Sequence, residues 1–354
     1  MSVYIQSSAQ ISFQQPLTEQ WFEQPVYCQQ GFMRSIDPQD WTDFIQPKEG
    51  RRAGKLLKRA IAVSLTALRE ANTKVPDAIV AGTGLGCVEH TENFLKALVD
   101  TGEDLLPPTP FMLSTHNTIA SYIAIMLACH GYNATYSHRG LSFDAALLDA
   151  FMQIETNTAK NALVIGNDEL TDDYFRMLGK IDYWKKGKIS PSILHKKDTV
   201  GSFAGECSVS FVISDSVHNH TIAQIKGIEI LYQPSVSEVF QTIILLLAKN
   251  ELGLKNIDAV LMGVNGDVAF DKLYLSVCQS IMKEKPLLWY KHLFGESYTA
   301  SGLGLHVATT ILKNGFSPAF LNYKKDKAVK NIRNILILNH FQNKDFSIIL
   351  LSKC

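Results

Sequence analysis

Apolar residues recur along the chain at spacings that predict alternating helices and strands. In the segment 51–71, Ile61, Leu65 and Leu68 fall on one helical stripe. The segment 77–86 that follows has the pattern of a short buried strand running into a glycine loop. The same reasoning predicts helices over 116–131, 142–156 and 237–253, and strands over 162–166, 205–214 and 258–267. Alternation of this kind is typical of an α/β protein.

The second half of the chain repeats the plan of the first half. The stretch "PDAIVAGTGLG" aligns with "IDAVLMGVNGD", which brings Asp77 onto Asp258 and Gly82 onto Gly263. The helix and strand of "SFDAALLDA…ALVIG" are echoed in order by "TASGLGLHVATTILKNG…NILILN". Repeats of this length predict a duplicated α/β unit.

Composition and charge exclude several classes of protein. Of the 354 residues 46% are hydrophobic, enough for a large core, and Lys+Arg balance Asp+Glu at 34 each, so nothing favours nucleic acid or an anionic membrane as partner. The N-terminus lacks the pattern of a signal peptide, and no apolar run reaches the roughly 20 residues needed to span a bilayer. Six cysteines without CxxC spacing predict neither a zinc site nor a disulfide framework. We therefore expect a soluble cytoplasmic protein without a bound metal.

The motifs with the most familiar spacing do not predict a cofactor. "GTGLG" follows a strand, but a dinucleotide fingerprint needs glycine at its sixth position, where this chain has Cys87. The histidines have no metal-ligand spacing. Lys185, Lys186 and Lys188 could contact an acidic carrier protein, although a solvated loop is the better interpretation.

The stretch "YKHLFGESYTASG", residues 290–302, combines small residues with charged ones. Such a density of glycine, serine and alanine predicts that another backbone or a ligand passes close by. Lys291, His292 and Glu296 stand in the same stretch, so its carboxylate needs an explanation.

Four segments together resemble the β-ketoacyl synthase family. "PDAIVAGTGLGCVEHTENFL" is similar to that family's strand–glycine-loop–helix segment, and "PPTPFMLSTHNTIASYIA" to the entry of its dimer-interface helix. "NATYSHRGLSFDAALLDA" resembles the turn that carries the catalytic cysteine, and "KHLFGESYTASG" the segment with the family's lysine and second histidine. The resemblance covers about residues 3–352. It implies a thiolase-like fold of five layers, α-β-α-β-α, with halves at residues 1–220 and 221–354.

The same resemblance implies that the catalytic groups have been replaced. Gly140 matches the nucleophilic cysteine, Asn265 the first histidine and Glu296 the second, while Lys291 matches the retained lysine. The family's glycine-rich C-terminal loop, which supplies an oxyanion-hole N–H, is matched by 339–345, where no glycine remains. Decarboxylative condensation needs a thiolate, donors for the enolate and an oxyanion hole. The resemblance thus implies a non-catalytic, synthase-like protein.

The family precedent for such a protein is a chain-length factor, which pairs with a catalytic ketosynthase and shapes the tunnel for the growing chain. Similar partners occur in type II polyketide and aryl-polyene systems, with acyl carrier protein as a further partner. The resemblance places the partner interface at 111–125 and 134–138, which would serve a homodimer or core packing equally well. Its predicted residues are Phe111, Asn117, Tyr122, Tyr136 and His138.

Two alternatives stay open. Ser142, two residues beyond Gly140, could act as the nucleophile of an acyltransferase, although a serine at a helix entry is more often an N-cap. The chain could also be a scaffold that only binds acyl carrier protein. For Glu296 we predict a structural role, paired with Arg139 or His138 across the vacated pocket.

Overall fold

The computed structural model describes residues 1–29, 32–50, 53–102, 106–186, 199–281, 284–324 and 327–354. Among these residues, no helix is both long and apolar enough to cross a bilayer. The helices are α1 Pro47–Gly50, α2 Lys55–Glu70, α3 Val88–Thr101, α4 Pro108–Ser114, α5 Thr118–Met126, α6 Ser142–Glu155, α7 Asp172–Gly179, α8 Val236–Lys249, α9 Val268–Ile281, α10 Lys291–Phe294 and α11 Ala300–Asn314. The strands are β1 Val3–Ile11, β2 Ala78–Gly82, β3 Tyr132–Tyr136, β4 Asn161–Asp168, β5 Cys207–Ser214, β6 Ala223–Tyr232, β7 Ala259–Met262, β8 Leu287–Trp289, β9 Phe316–Ser317, β10 Val329–Lys330, β11 Asn334–Phe341 and β12 Asp345–Lys353. Short 3-10 helices cover Gln20–Phe22, Arg139–Leu141, Leu254–Asn256 and Ala319–Leu321.

Ten strands form one sheet whose two halves have the same topology. The order is β3-β2-β4-β5-β1-β6-β12-β11-β7-β8, so β3-β2-β4-β5-β1 is matched by β8-β7-β11-β12-β6. Strand directions match as well: β2 is parallel to both of its neighbours, as β7 is to its own, and the remaining pairs are antiparallel. The halves meet where β1 pairs antiparallel with β6. The boundary that we propose, between residues 220 and 221, lies in the connection between β5 and β6.

Helices α6 and α11 lie between the two halves of the sheet, and other helices cover the outer faces. The buried residues of α6 and α11 form one core with residues from both halves. A second core joins α2 and α5 to the first half, and a third joins α8 and α9 to the second half. Helix α11 can be central because its residues from Ala300 to Leu312, His306 excepted, are apolar or small on every side, and all are buried. The predicted five layers are confirmed.

The small residues of 290–302 admit a neighbouring backbone, as predicted. The Glu296 N–H donates to the Phe203 carbonyl at 2.6 Å, and the Glu296 carbonyl accepts from the Gly205 N–H at 2.9 Å. A Cβ added to Gly295 would lie 2.7 Å from the Cα of Gly205, and Gly295 has a left-handed φ of 77°. Two glycines therefore let the segment at 203–205 fix the backbone of Glu296.

Candidate functional site

Gly140 lies in the 3-10 turn that leads from β3 into α6. The turn is fixed from within: the Ser142 hydroxyl donates to the Arg139 carbonyl at 2.7 Å and accepts from the His138 N–H at 2.9 Å. Arg139 has a left-handed φ of 47°, a strained conformation for a residue with a side chain. The turn thus keeps a sharp geometry at the position that matches the family's nucleophile.

Phe341, at the end of β11, occupies the space that a side chain at position 140 would need. A Cβ built on Gly140 would lie 2.3 Å from the Phe341 Cβ and 2.5 Å from its Cγ. Contacts this short do not occur between real carbon atoms, and the Phe341 Cβ is tied directly to the backbone. A cysteine at position 140 would therefore require Phe341 to move.

Glu296 forms a buried ion pair with Lys291. The lysine ammonium donates to both carboxylate oxygens, at 2.9 Å to Oε1 and 2.8 Å to Oε2. Both side chains are almost fully buried. The predicted pairing of Glu296 with Arg139 or His138 is wrong, because Lys291 lies one short helical turn away on α10 and folds back onto the carboxylate.

Asn265 follows β7 and completes this polar cluster. Its Nδ2 donates to Glu296 Oε2 at 2.7 Å, and its Oδ1 accepts from the Asp267 N–H at 3.0 Å. The backbone N–H of Asn265 donates to Asp271, a carboxyl group whose pKa burial raises to about 7. Asn265, Lys291 and Glu296, the positions predicted to match the family's two histidines and its lysine, are therefore joined in one cluster, and their polar side-chain atoms bond mainly to one another.

A cavity of about 410 Å³ opens beside this cluster. Its described lining includes Asn265, Glu296 and Phe341, together with the apolar or aromatic side chains of Ile181, Tyr183 and Phe270. The described lining contains no cysteine and no histidine. The cavity can hold an apolar group, but its described walls supply neither a thiolate nor an imidazole.

Ser142 is not available as a nucleophile in this geometry. Its side chain is fully buried, and its hydroxyl makes the two hydrogen bonds that close the turn at 138–142. The N-cap role expected for Ser142 is wrong, because Leu141 holds the N-cap position of α6 and the Ser142 hydroxyl bonds only to residues that precede the helix.

Sequence reasoning missed Phe341, although it lies in the matched segment 339–345. The turn between β11 and β12 keeps a left-handed backbone without glycine, with φ of 52° at Gln342 and 56° at Asn343. Asparagine tolerates this conformation well, whereas glutamine adopts it at a cost. The only available signal was a large aromatic residue beside the positions where the family has glycines.

The predicted interface residues lie near the β3 end of the sheet, but they are not equally accessible. Phe111 on α4, Asn117 and His138 are exposed, while Tyr122 and Tyr136 are half-buried. The Phe111 ring packs against Phe94 with centroids 5.3 Å apart. Of the three lysines predicted to contact a carrier protein, Lys186 forms an ion pair with Asp182, and the Lys185 ammonium donates a hydrogen bond to the Thr199 hydroxyl. Lys188 lies outside the described residues.

Comparison with known proteins agrees with the resemblance found in the sequence. Residues 19–184, just under half of the chain, match the family described as β-ketoacyl synthase, N-terminal domain. A set of curated protein sequences contains no significant match. Residues 19–184 are thus similar to the N-terminal domain of β-ketoacyl synthases, which confirms the predicted resemblance.

Solved structures extend the likeness to the whole chain. The chain is similar to the ishigamide ketosynthase/chain length factor, with a TM-score of 0.82, 17% identity and coverage of 100% of this chain and 99% of that one. It is also similar to the ketosynthase ApeO in complex with its chain length factor ApeC from Xenorhabdus doucetiae, with a TM-score of 0.81, 12% identity and coverage of 100% and 98%. A third similar structure, AntDE:AntF, is a type II polyketide synthase acyl-carrier protein in complex with its ketosynthase bound to the hexaketide, with a TM-score of 0.80, 12% identity and coverage of 100% and 99%. These likenesses confirm the thiolase-like ketosynthase fold.

Proposed function

We propose that this chain is a catalytically inactive, synthase-like subunit that pairs with an active ketosynthase and shapes the tunnel for the growing acyl or polyene chain. The observation that carries the proposal is the pair of Gly140 and Phe341. Position 140 has no nucleophile, and the space for one is filled by a side chain from another strand. Restoring a cysteine at position 140 would therefore not be enough to restore a nucleophile, because Phe341 occupies the space that its side chain needs.

The polar cluster supports the same proposal. A condensing enzyme must direct hydrogen-bond donors at the charge that develops on its substrate. Here the Lys291 ammonium and the Asn265 amide donate to the Glu296 carboxylate, which stands at one of the histidine positions. Because these two donors already bond to the Glu296 carboxylate, they stabilise the fold of the subunit and are not directed at a reaction intermediate.

Two observations support the proposal of a partner protein: the surface at the β3 end of the sheet and the names of the similar solved structures. Strand β3 is an edge strand in contact with α5, and α4, which packs against α5, has no buried residue. Two of the similar structures are named as a ketosynthase with a chain length factor, and one includes an acyl-carrier protein. We therefore propose a ketosynthase as the partner at this end, with an acyl carrier protein as the source of the chain.

The experiment is to co-express the chain with a cysteine-bearing ketosynthase of a type II polyketide or aryl-polyene system and to incubate the purified pair with an acylated carrier protein. Intact mass spectrometry should find the acyl group on the partner alone, and none on this chain whether paired or isolated. A cysteine-to-alanine variant of the partner is the control and should abolish acylation of the pair. Acylation of this chain by itself, lost in Ser142→Ala, would overturn the proposal in favour of a serine acyltransferase.

A further inference from the structure

A second concave region lies at the far end of the sheet from β3. It has a volume of about 360 Å³ and is bordered by the start of β8, by Asn322 and by β10. Its frame is hydrogen-bonded, since the Tyr323 N–H donates to the Leu287 carbonyl at 2.8 Å and Leu288 forms a β-bridge with Asn322. Because β8 and β3 are opposite edges of the sheet, this region is separate from the predicted partner face.

Lysines dominate the lining of this region, which we call the lysine cleft. Among the described residues, Lys285, Lys324, Lys327 and Lys330 line it together with one acidic residue, Glu284. No ion pair joins any of these lysines to a carboxylate among the described residues. In a chain whose charges balance overall, the described lining of the cleft has a local excess of positive charge.

Two of the lysines are held in place by neighbouring groups. The Lys285 ammonium donates to the Lys255 carbonyl at 3.0 Å, which uses one of its three N–H donors. The Lys324 N–H donates to Asn322 Oδ1 at 3.3 Å, which ties the backbone of that lysine to the wall of the cleft. Within the described part of the chain, the ammonium groups of Lys324, Lys327 and Lys330 have no hydrogen-bond acceptor, and all three residues are exposed.

We propose that the lysine cleft binds a small molecule that carries a phosphate or pyrophosphate group. Such a group brings about two negative charges and several acceptor oxygens to one point, which suits a cleft lined by several lysines better than a lone carboxylate does. The volume is that of a small-molecule site, and a concave shape favours a compact ligand over a flat protein surface. This site is independent of the proposed pairing with a ketosynthase.

The test is calorimetric titration of the full chain with inorganic pyrophosphate at constant ionic strength. The double variant Lys324→Gln with Lys327→Gln should bind pyrophosphate more weakly by on the order of tenfold or more, because two charge-assisted contacts are lost. Its matched control, Lys74→Gln with Lys249→Gln, removes the same charge from exposed lysines outside the cleft and should bind as the unaltered chain does. Thermal unfolding of both variants should show that each is folded.

Two other outcomes would overturn the proposal. Equal weakening in both double variants would show non-specific attraction to the net charge, and an unaltered chain that does not bind would remove the site altogether. Citrate serves as a second ligand, since it carries similar charge on carboxylates only. Binding of citrate as tightly as pyrophosphate would contradict the preference for phosphate.

Discussion

Gly140 and Phe341 are complementary, so each position constrains the other. We expect Gly140→Ala to destabilise the chain by about 1–3 kcal/mol, because the added methyl group overlaps the Phe341 side chain. Urea unfolding followed by tryptophan fluorescence would measure the change.

The control for this substitution is Gly179→Ala at the end of α7, where a Cβ would meet no atom within 4 Å. That variant should be neutral or slightly more stable, since alanine favours a helix over glycine. In the double variant Gly140→Ala with Phe341→Gly, the overlapping side-chain atoms of residue 341, its Cβ and its Cγ among them, are gone, so the two effects should not add. Strict additivity would contradict the contact between the two residues.

The Lys291–Glu296 pair predicts an unequal response to single and paired substitution. Glu296→Ala leaves the ammonium of Lys291 buried without its carboxylate and should cost about 3–5 kcal/mol in the free energy of unfolding. Replacing both residues, with Lys291→Met and Glu296→Leu, should recover much of that loss, because no charge remains buried. Chemical denaturation of the three proteins at one pH would make the comparison.

A surface ion pair provides the matched control. Lys313 and Glu19 lie 2.8 Å apart with side chains 53% and 41% exposed. Glu19→Ala should cost less than about 1 kcal/mol, because water solvates the lysine that is left. If both glutamate variants lost similar stability, the buried pair would not have the structural role assigned to it.

At the scale of elements, α11 carries a buried histidine into the centre of the molecule. Burial lowers the pKa of His306 to about 3, against 6.5 for a free histidine, so the folded chain holds it neutral. The unfolded chain takes up a proton below pH 6.5, so this histidine destabilises the fold progressively as the pH falls from 6.5 towards 3. His306→Phe should remove that loss, worth about 2–3 kcal/mol between pH 6.5 and 4.5.

The measurement is the unfolding free energy of both proteins at several pH values between 4.5 and 7.5. The difference between them should be constant above pH 6.5 and should move in favour of His306→Phe below it. His130→Gln, at an exposed position, is the control for the loss of a histidine as such. A difference between wild type and His306→Phe that does not change with pH would contradict the buried neutral state.

The elements were predictable from the sequence because their signals are local. The apolar stripe of α2, the small and apolar residues of α11 and the matched strands β2 and β7 each occupy one continuous segment. The close approach of a backbone to 290–302 was predictable for the same reason, since glycine marks it directly.

The contacts of the site could not be predicted in the same way. Gly140 and Phe341 meet only because the turn before α6 and the end of β11 come together across the two halves, and no local pattern pairs them. The partner of Glu296 was predicted wrongly because the choice between Lys291 and Arg139 depends on how the short helix α10 turns its side chains. Periodicity predicts which face is buried but not which polar groups meet there.

At the scale of the whole molecule, the two halves of the sheet have the same topology but different chemistry at their outer edges. The β3 end has exposed apolar residues, including Phe111 and Met112, next to the edge strand. The β8 end has the lysine cleft instead. The two halves thus present different chemistry at equivalent edges, which is expected when one edge joins a partner and the other remains outside the interface.

The β3 end yields the last prediction, which concerns assembly. Phe111 is 57% exposed, so Phe111→Glu should change the unfolding free energy little but should weaken pairing with the ketosynthase on the order of tenfold or more, because a charge would be buried at an apolar interface. Leu245→Glu on α8, at a side chain 70% exposed, is the matched control and should pair normally, because α8 covers the opposite half of the sheet. Analytical ultracentrifugation of each variant with the ketosynthase would measure the two dissociation constants. Loss of pairing in Leu245→Glu, with Phe111→Glu unaffected, would move the interface to the second half of the molecule.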